Sequence, residues 1–189
     1  MDSVTLIGDS IRMGYQQAVA EELEGKAVVW CPQENGGTSS NVLAHLDEWV
    51  ISRPPRVVHI NAGLHDIKKE FNSRNPAVPR DRYRANIQKI FHRIENETEA
   101  IVIWCATTPV NETRHHAVKA FDRFESDVLA YNRIAAEEAN RRGIRINYLY
   151  EVVMGAGRDE LLDGDGVHFT PEGYRLLGSN VARIILEYL

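Results

Sequence analysis

The chain has 189 residues, 43% of them hydrophobic, and a formal net charge of -5. That length suits one domain with a full core. The acidic balance, with Lys and Arg scattered rather than clustered, excludes the basic face that a nucleic acid or an anionic membrane would need.

Val4 to Ile7 reads as a strand, so no charged and apolar leader opens the chain. No later stretch reaches the length of a transmembrane helix. The expectation is a cytoplasmic protein without a membrane anchor. Gly8-Asp9-Ser10 punctuates the first strand, and residues 11–24 read as a helix. Ala27 to Cys31 is a second strand, stopped by Pro32. After Asn35-Gly36-Gly37 a helix begins near Ser39 or Ser40. Its apolar stripe is Val42, Leu46, Trp49 and Val50, and Pro54-Pro55 ends it. Arg56 to Asn61 is the third strand, followed by a polar loop through residue 80. Tyr83, Ile87, Ile90, Phe91 and Ile94 then repeat with the helical period. Ala100 to Cys105 is the fourth strand, ended by Thr107-Thr108-Pro109. A loop carrying His115 and His116 leads to a long helix, with Phe121, Phe124, Val128 and Leu129 inward and Gly143 at its end. Ile144 to Tyr150 is the fifth strand. The last helix starts near Pro171, with Leu177, Val181, Ile184 and Tyr188 on one face.

Strands alternating with helices imply a parallel sheet with helices on both faces. No repeat or linker divides residues 1–189, so one domain is expected. In such sheets ligands bind beyond the carboxyl ends of the strands. Four segments should therefore share one edge: Gly8-Asp9-Ser10, Asn35-Gly36-Gly37, Gly63-Leu64-His65-Asp66 and Thr107-Thr108-Pro109. Cys31 and Cys105 fit neither a redox nor a zinc spacing and are expected as free thiols. Neither a Gly-x-Gly-x-x-Gly nor a P-loop is present, so no nucleotide cofactor is expected.

Ser10 ends a strand and opens a helix, where unpaired N–H groups stabilise negative charge. A serine there is an N-cap or a nucleophile. A nucleophile needs a base and a group to orient it. Of seven histidines, His59 lies inside a strand and reads as core, while His45 and His92 read as helix surface. His168 differs: Asp165 is three residues before it, close enough for one turn of chain to bring carboxylate and imidazole together. The bland alternative for this segment is a turn with Thr170 as a cap. The stretch VVHINAGLHD, residues 57–66, presents His65-Asp66 at the same sheet edge.

Together these blocks resemble the SGNH, or GDSL, hydrolases. Gly8-Asp9-Ser10 looks like that family's first block. Asp165-Gly166-Val167-His168, with Phe169-Thr170-Pro171-Glu172-Gly173-Tyr174 after it, looks like the last. Gly37 in Gly-Gly-Thr-Ser looks like the glycine of the second block, with Gly36 the alternative. Gly63-Leu64-His65-Asp66 is similar to the third block, usually Gly-x-Asn-Asp. The resemblance spans nearly the whole chain in the right order. It implies a three-layer α/β/α sandwich of flavodoxin-like type around a five-stranded parallel sheet, with main strands ordered 2-1-3-4-5. It implies a serine esterase with Ser10 as nucleophile, His168 as base and then acid, and Asp165 orienting it. The Ser10 N–H, the Gly37 N–H and a third-block side chain would form the oxyanion hole, with no cofactor or metal. That third-block Asn is His65 here; neutral imidazole also carries one N–H. Asp66 would hold the loop or orient His65.

Two alternatives stay open from the sequence. One is a non-catalytic flavodoxin-like binding module. The other is a metal-dependent hydrolase using Asp9, His65, Asp66 and His168. The partner expected is a small-molecule ester, with no nucleic acid and no membrane. Two loops, 67–82 and 110–119, should rim the site and carry Lys68, Lys69, Arg74, Arg80, Arg82, Arg114 and Lys119. They suggest a polar or anionic substrate, such as an acylated sugar.

Overall fold

The apolar runs become strands buried on both sides; all four residues of β3 (Val57–Ile60) are inaccessible. The computed structural model describes residues 1–189. Its main sheet joins β1 (Asp2–Ile7), β2 (Ala27–Trp30), β3, β5 (Ile101–Cys105) and β7 (Arg145–Asn147). The order is β2-β1-β3-β5-β7, and every pairing is parallel. This is the expected order of the five main strands. Register levels their ends: Ile7 lies against Ile60, Ile60 against Trp104, and Cys105 against Asn147. The segments after the strands therefore emerge along one edge.

Helix α1 (Ser10–Glu22) packs on α8 (Pro171–Ile185). The approach is close: a Cβ on Gly178 would come within 2.5 Å of the Ala18 Cβ. Helix α3 (Arg80–Glu97) packs on α5 (Glu125–Arg141), with the Tyr83 and Tyr131 rings 4.7 Å apart. Helix α2 (Ser39–Ala44) joins α3. His59 is fully buried in β3, where burial pushes its pKa down to about 3 and keeps it neutral. Both cysteines are free, with β1 and β3 between their strands. No helix is long and apolar enough to cross a membrane.

Several local expectations differ from the structure. The helix expected to run from Ser39 to Pro54 breaks after Ala44 and resumes as a π-turn, Asp47–Ile51. Trp49 and Val50 are still buried, so the apolar stripe survives the break. The loop 67–82 contains β4 (Lys69–Glu70), which pairs antiparallel with β6 (Phe121–Asp122). Phe121 is thus ribbon rather than helix. Phe124, which precedes α5 at Glu125, is 36% exposed, and Leu129 lies on the outward face of that helix at 50%. The loop 110–119 folds as α4 (Glu112–Val118), burying His115 against Phe121. The fifth strand stops at Asn147, and Leu149 opens α6 (Leu149–Ala156). A short α7 (Arg158–Leu161) follows. These are the segments where two or three residues of pairing, or tertiary burial, outweigh the local pattern.

Candidate active site

The first strand hands over to α1 through Asp9, not Ser10. Asp9 is the N-cap: its Oδ1 accepts from the Ile11 N–H at 2.9 Å. Ser10 is the first helical residue, and its hydroxyl is left for other work. It lies 2.9 Å from His168 Nε2. The other ring nitrogen, His168 Nδ1, lies 2.6 Å from Asp165 Oδ2. Ser10, His168 and Asp165 thus form one hydrogen-bonded chain at the carboxyl edge of the sheet.

Asp165 is fixed by its own turn. Its Oδ1 accepts from the N–H groups of Val167 and His168, at 3.0 and 2.9 Å. Lys119 Nζ lies 3.0 Å from Oδ2. Burial pushes this carboxyl's pKa upward, but the bonds from His168, Val167 and Lys119 outweigh burial and hold it well below the usual range. Gly166 has φ +72°, and a Cβ there would come 2.4 Å from the Asn111 carbonyl oxygen. Only glycine fits the turn. Thr170 does cap α8, accepting from the Gly173 N–H at 3.2 Å. The turn-and-cap reading of this segment and the imidazole–carboxylate contact hold together.

The loop after β3 is braced from several sides. Asp66 is fully buried, and it does not orient His65. It accepts from the Ser39 N–H at 2.9 and 3.0 Å and from the Ser39 hydroxyl at 2.5 Å. It thereby ties this loop to the start of α2. Tyr83 Oη donates to the Ala62 carbonyl at 2.8 Å. Arg123 Nε donates to the Leu64 carbonyl at 2.6 Å. Thr107, whose hydroxyl a Gly63 Cβ would meet at 2.1 Å, is itself clamped by both amide atoms of Asn132. His65 makes no hydrogen bond to the protein, and its ring nitrogens are not sealed from solvent. Burial and the nearby charges of Arg123, Lys68 and His168 lower its pKa, against the opposing pull of Asp9. His65 is therefore neutral near pH 7, with one N–H to offer.

Burial raises the Asp66 pKa from the ordinary 3.8 to about 7, against the bonds from Ser39. Folding thus favours the protonated form. The stability gained is complete below 3.8 and is lost as pH rises through about 7. Asp66→Asn stays neutral throughout, so its melting temperature is expected to gain on wild type between about pH 5 and about pH 8. A constant difference across paired thermal melts would mean that Asp66 is already ionised at the lower pH.

The loop after β2 is pinned by Gly36, whose N–H donates to the Gly8 carbonyl at 2.9 Å. A Cβ there would come 2.7 Å from that oxygen. The Gly37 N–H donates to Asn35 Oδ1 at 2.9 Å. Both glycine N–H groups are engaged. The Ser40 N–H, in the first turn of α2, has no partner. Arg12 completes the support and was not singled out from the sequence. It is buried, and its guanidinium donates to the Glu34 carbonyl at 2.8 Å and to Gln16 Oε1 at 2.5 Å. A lone Arg in a helix gave no signal of this.

The rim cations are mostly spent. Lys68 pairs with Glu70, Lys69 and Arg80 with Asp127, and Lys119 with Asp165. Arg114 donates to the carbonyls of Asp159 and Leu162. Asp9 and Asp66 turn to backbone and serine partners, and no group of three or more His, Cys, Asp or Glu is arranged to hold a metal ion.

A parallel α/β/α sheet with serine and imidazole meeting at its carboxyl edge is the frame of an acyl-transfer hydrolase. The sequence matches the GDSL-like lipase/acylhydrolase family over residues 2–176, and the chain belongs to that family. It is a hydrolase acting on ester bonds. Among solved structures it is similar to a lipase/acylhydrolase from Enterococcus faecalis, with 24% identity and a TM-score of 0.82 over 98% of this chain and 95% of that one. It is also similar to a GDSL-like lipase from Bacteroides thetaiotaomicron VPI-5482, with 22% identity and a TM-score of 0.77 over 100% and 89%. A third is Axe2, an acetylxylan esterase from Geobacillus stearothermophilus, with 18% identity and a TM-score of 0.76 over 97% and 94%. No curated protein matches the sequence.

Proposed function

We propose that the chain is one catalytic unit that hydrolyses short-acyl esters of polar molecules through an acyl-enzyme on Ser10. The observation that carries this reading is the continuous chain Ser10 Oγ–His168 Nε2–Asp165 Oδ2, at 2.9 and 2.6 Å. His168 takes the Ser10 proton as Oγ attacks the carbonyl carbon. The tetrahedral intermediate collapses, and His168 returns that proton to the leaving alcohol. Water then repeats the sequence on the acyl-enzyme, releasing the acid. Asp165 keeps Nδ1 protonated, so that Nε2 faces Ser10 as an acceptor.

The oxyanion is held by the Ser10 N–H, the His65 side chain and a donor from the loop after β2. The Gly36 N–H is tied to the Gly8 carbonyl inside the protein, whereas the Gly37 N–H meets only the exposed side chain of its neighbour Asn35, a bond the oxyanion can replace. We therefore assign the third donor to Gly37.

The acetylxylan esterase among the structural relatives is in keeping with a short acyl group on a carbohydrate-like alcohol. The test is a series of para-nitrophenyl esters of rising acyl length. The highest kcat/KM is expected at acetate to butyrate. A maximum at long chains would overturn the short-acyl reading.

A further inference from the structure

Two arginines are buried in this protein, Arg12 and Arg123. Arg12 is spent on the Glu34 carbonyl and on Gln16, as described. Arg123, just past β6, is only 6% exposed, yet it makes one hydrogen bond, from Nε to Leu64. Its two terminal nitrogens donate to no protein atom, and neither is sealed from solvent. It forms no direct ion pair; the charges of Asp9 and Asp165 act on it from further off, and burial outweighs them. A buried guanidinium without a contacting carboxylate is unfavourable unless something else completes it.

Its surroundings say what that would be. Leu64 precedes His65, so the guanidinium borders the loop assigned to the oxyanion. Its carbon lies 4.9 Å from the centre of the Phe121 ring, and Lys68 Nζ lies 4.4 Å from the same ring. Two cations thus flank one aromatic side chain beside the site. The charge of Arg123 also disfavours protonation of His65 and of His115, which places it electrostatically among the groups around the triad. With Nε engaged, the two terminal amino groups remain as a parallel fork, the geometry that holds both oxygens of a carboxylate.

We propose that Arg123, backed by Lys68 across Phe121, is the specificity-determining cation of the site and selects esters that carry a carboxylate or similar anionic group. This rests on the serine-esterase reading and names its substrate class. Among the expected loop cations Lys69, Arg80 and Lys119 are held by buried or partly buried carboxylates and Arg114 by carbonyls, while Lys68, whose partner Glu70 is exposed, is left to a supporting part.

The experiment compares kcat/KM for matched charged and neutral esters. Para-nitrophenyl hemisuccinate against the butyrate puts the charge in the acyl part. Para-carboxyphenyl acetate against phenyl acetate puts it in the alcohol. Wild type is expected to favour the charged member of at least one pair by roughly tenfold or more, the scale of a charge-assisted hydrogen bond. Arg123→Gln removes that preference, Arg123→Lys restores part of it, and Lys68→Gln or high salt weakens it. No preference in wild type overturns the proposal. So does an equal loss on charged and neutral esters in Arg123→Gln, which would make Arg123 a brace for Leu64 alone. If Arg123→Gln does not fold, a wild-type preference indifferent to both salt and Lys68→Gln is the overturning result. Turnover of the neutral esters is the control for the esterase reading, which fails separately if wild type hydrolyses none of them.

Discussion

Ser10→Ala is expected to lower kcat on an activated ester by on the order of 10⁴ to 10⁶, and His168→Ala by a similar factor. The two losses do not add, because nucleophile and base act as one unit. The double variant is expected to be scarcely slower than either single one. The fold survives both changes, since neither side chain belongs to the apolar core. Helix α1 keeps its cap, because the capping oxygen belongs to Asp9 and not to the serine. Steady-state kinetics with thermal melts of the same samples check this. A Ser10→Ala protein with wild-type turnover would end the serine mechanism.

His65→Ala is expected to lower kcat by about 10² to 10³, with little change in KM. Charge builds on the carbonyl oxygen only as the transition state forms, so a donor there serves rate rather than ground-state binding. The loop does not need the imidazole to stand. Asp66 ties it to Ser39, Tyr83 of α3 holds its Ala62 carbonyl, and Arg123 holds its Leu64 carbonyl. The melting temperature of His65→Ala is therefore expected to stay near wild type. His65→Asn, which restores a side-chain N–H donor, should recover part of the rate. A large fall in stability with kcat of the folded fraction unchanged would make His65 a brace instead.

The main sheet was legible because its strands are short apolar runs that alternate with amphipathic helices. Burial on both faces leaves such runs no other stable use. The candidate site was legible where its residues are neighbours in sequence. Asp165 and His168 belong to one turn, and Gly166 between them meets a positive φ. What could not be read lies in contacts between distant segments. The β4–β6 ribbon joins Lys69–Glu70 to Phe121–Asp122, two residues from each side, too short for any period to register. His115 looked like loop because its own helix has seven residues, and burial comes from Phe121. Asp9 rather than Ser10 is the cap because the helix starts at Ser10, one residue before the expected start at 11. Arg12 and Arg123 are ordinary charged residues in sequence. Only the fold turns one onto the Glu34 carbonyl and the other onto Leu64.

The central claim is that Ser10 is the atom-bearing nucleophile, and fluorophosphonate labelling read by intact mass and peptide mapping tests it most directly. One adduct per chain is expected, on the peptide that carries Ser10, with activity falling in proportion to labelling and no adduct on Ser10→Ala. Full activity without an adduct, or an inactivating adduct on any other residue, would contradict the account.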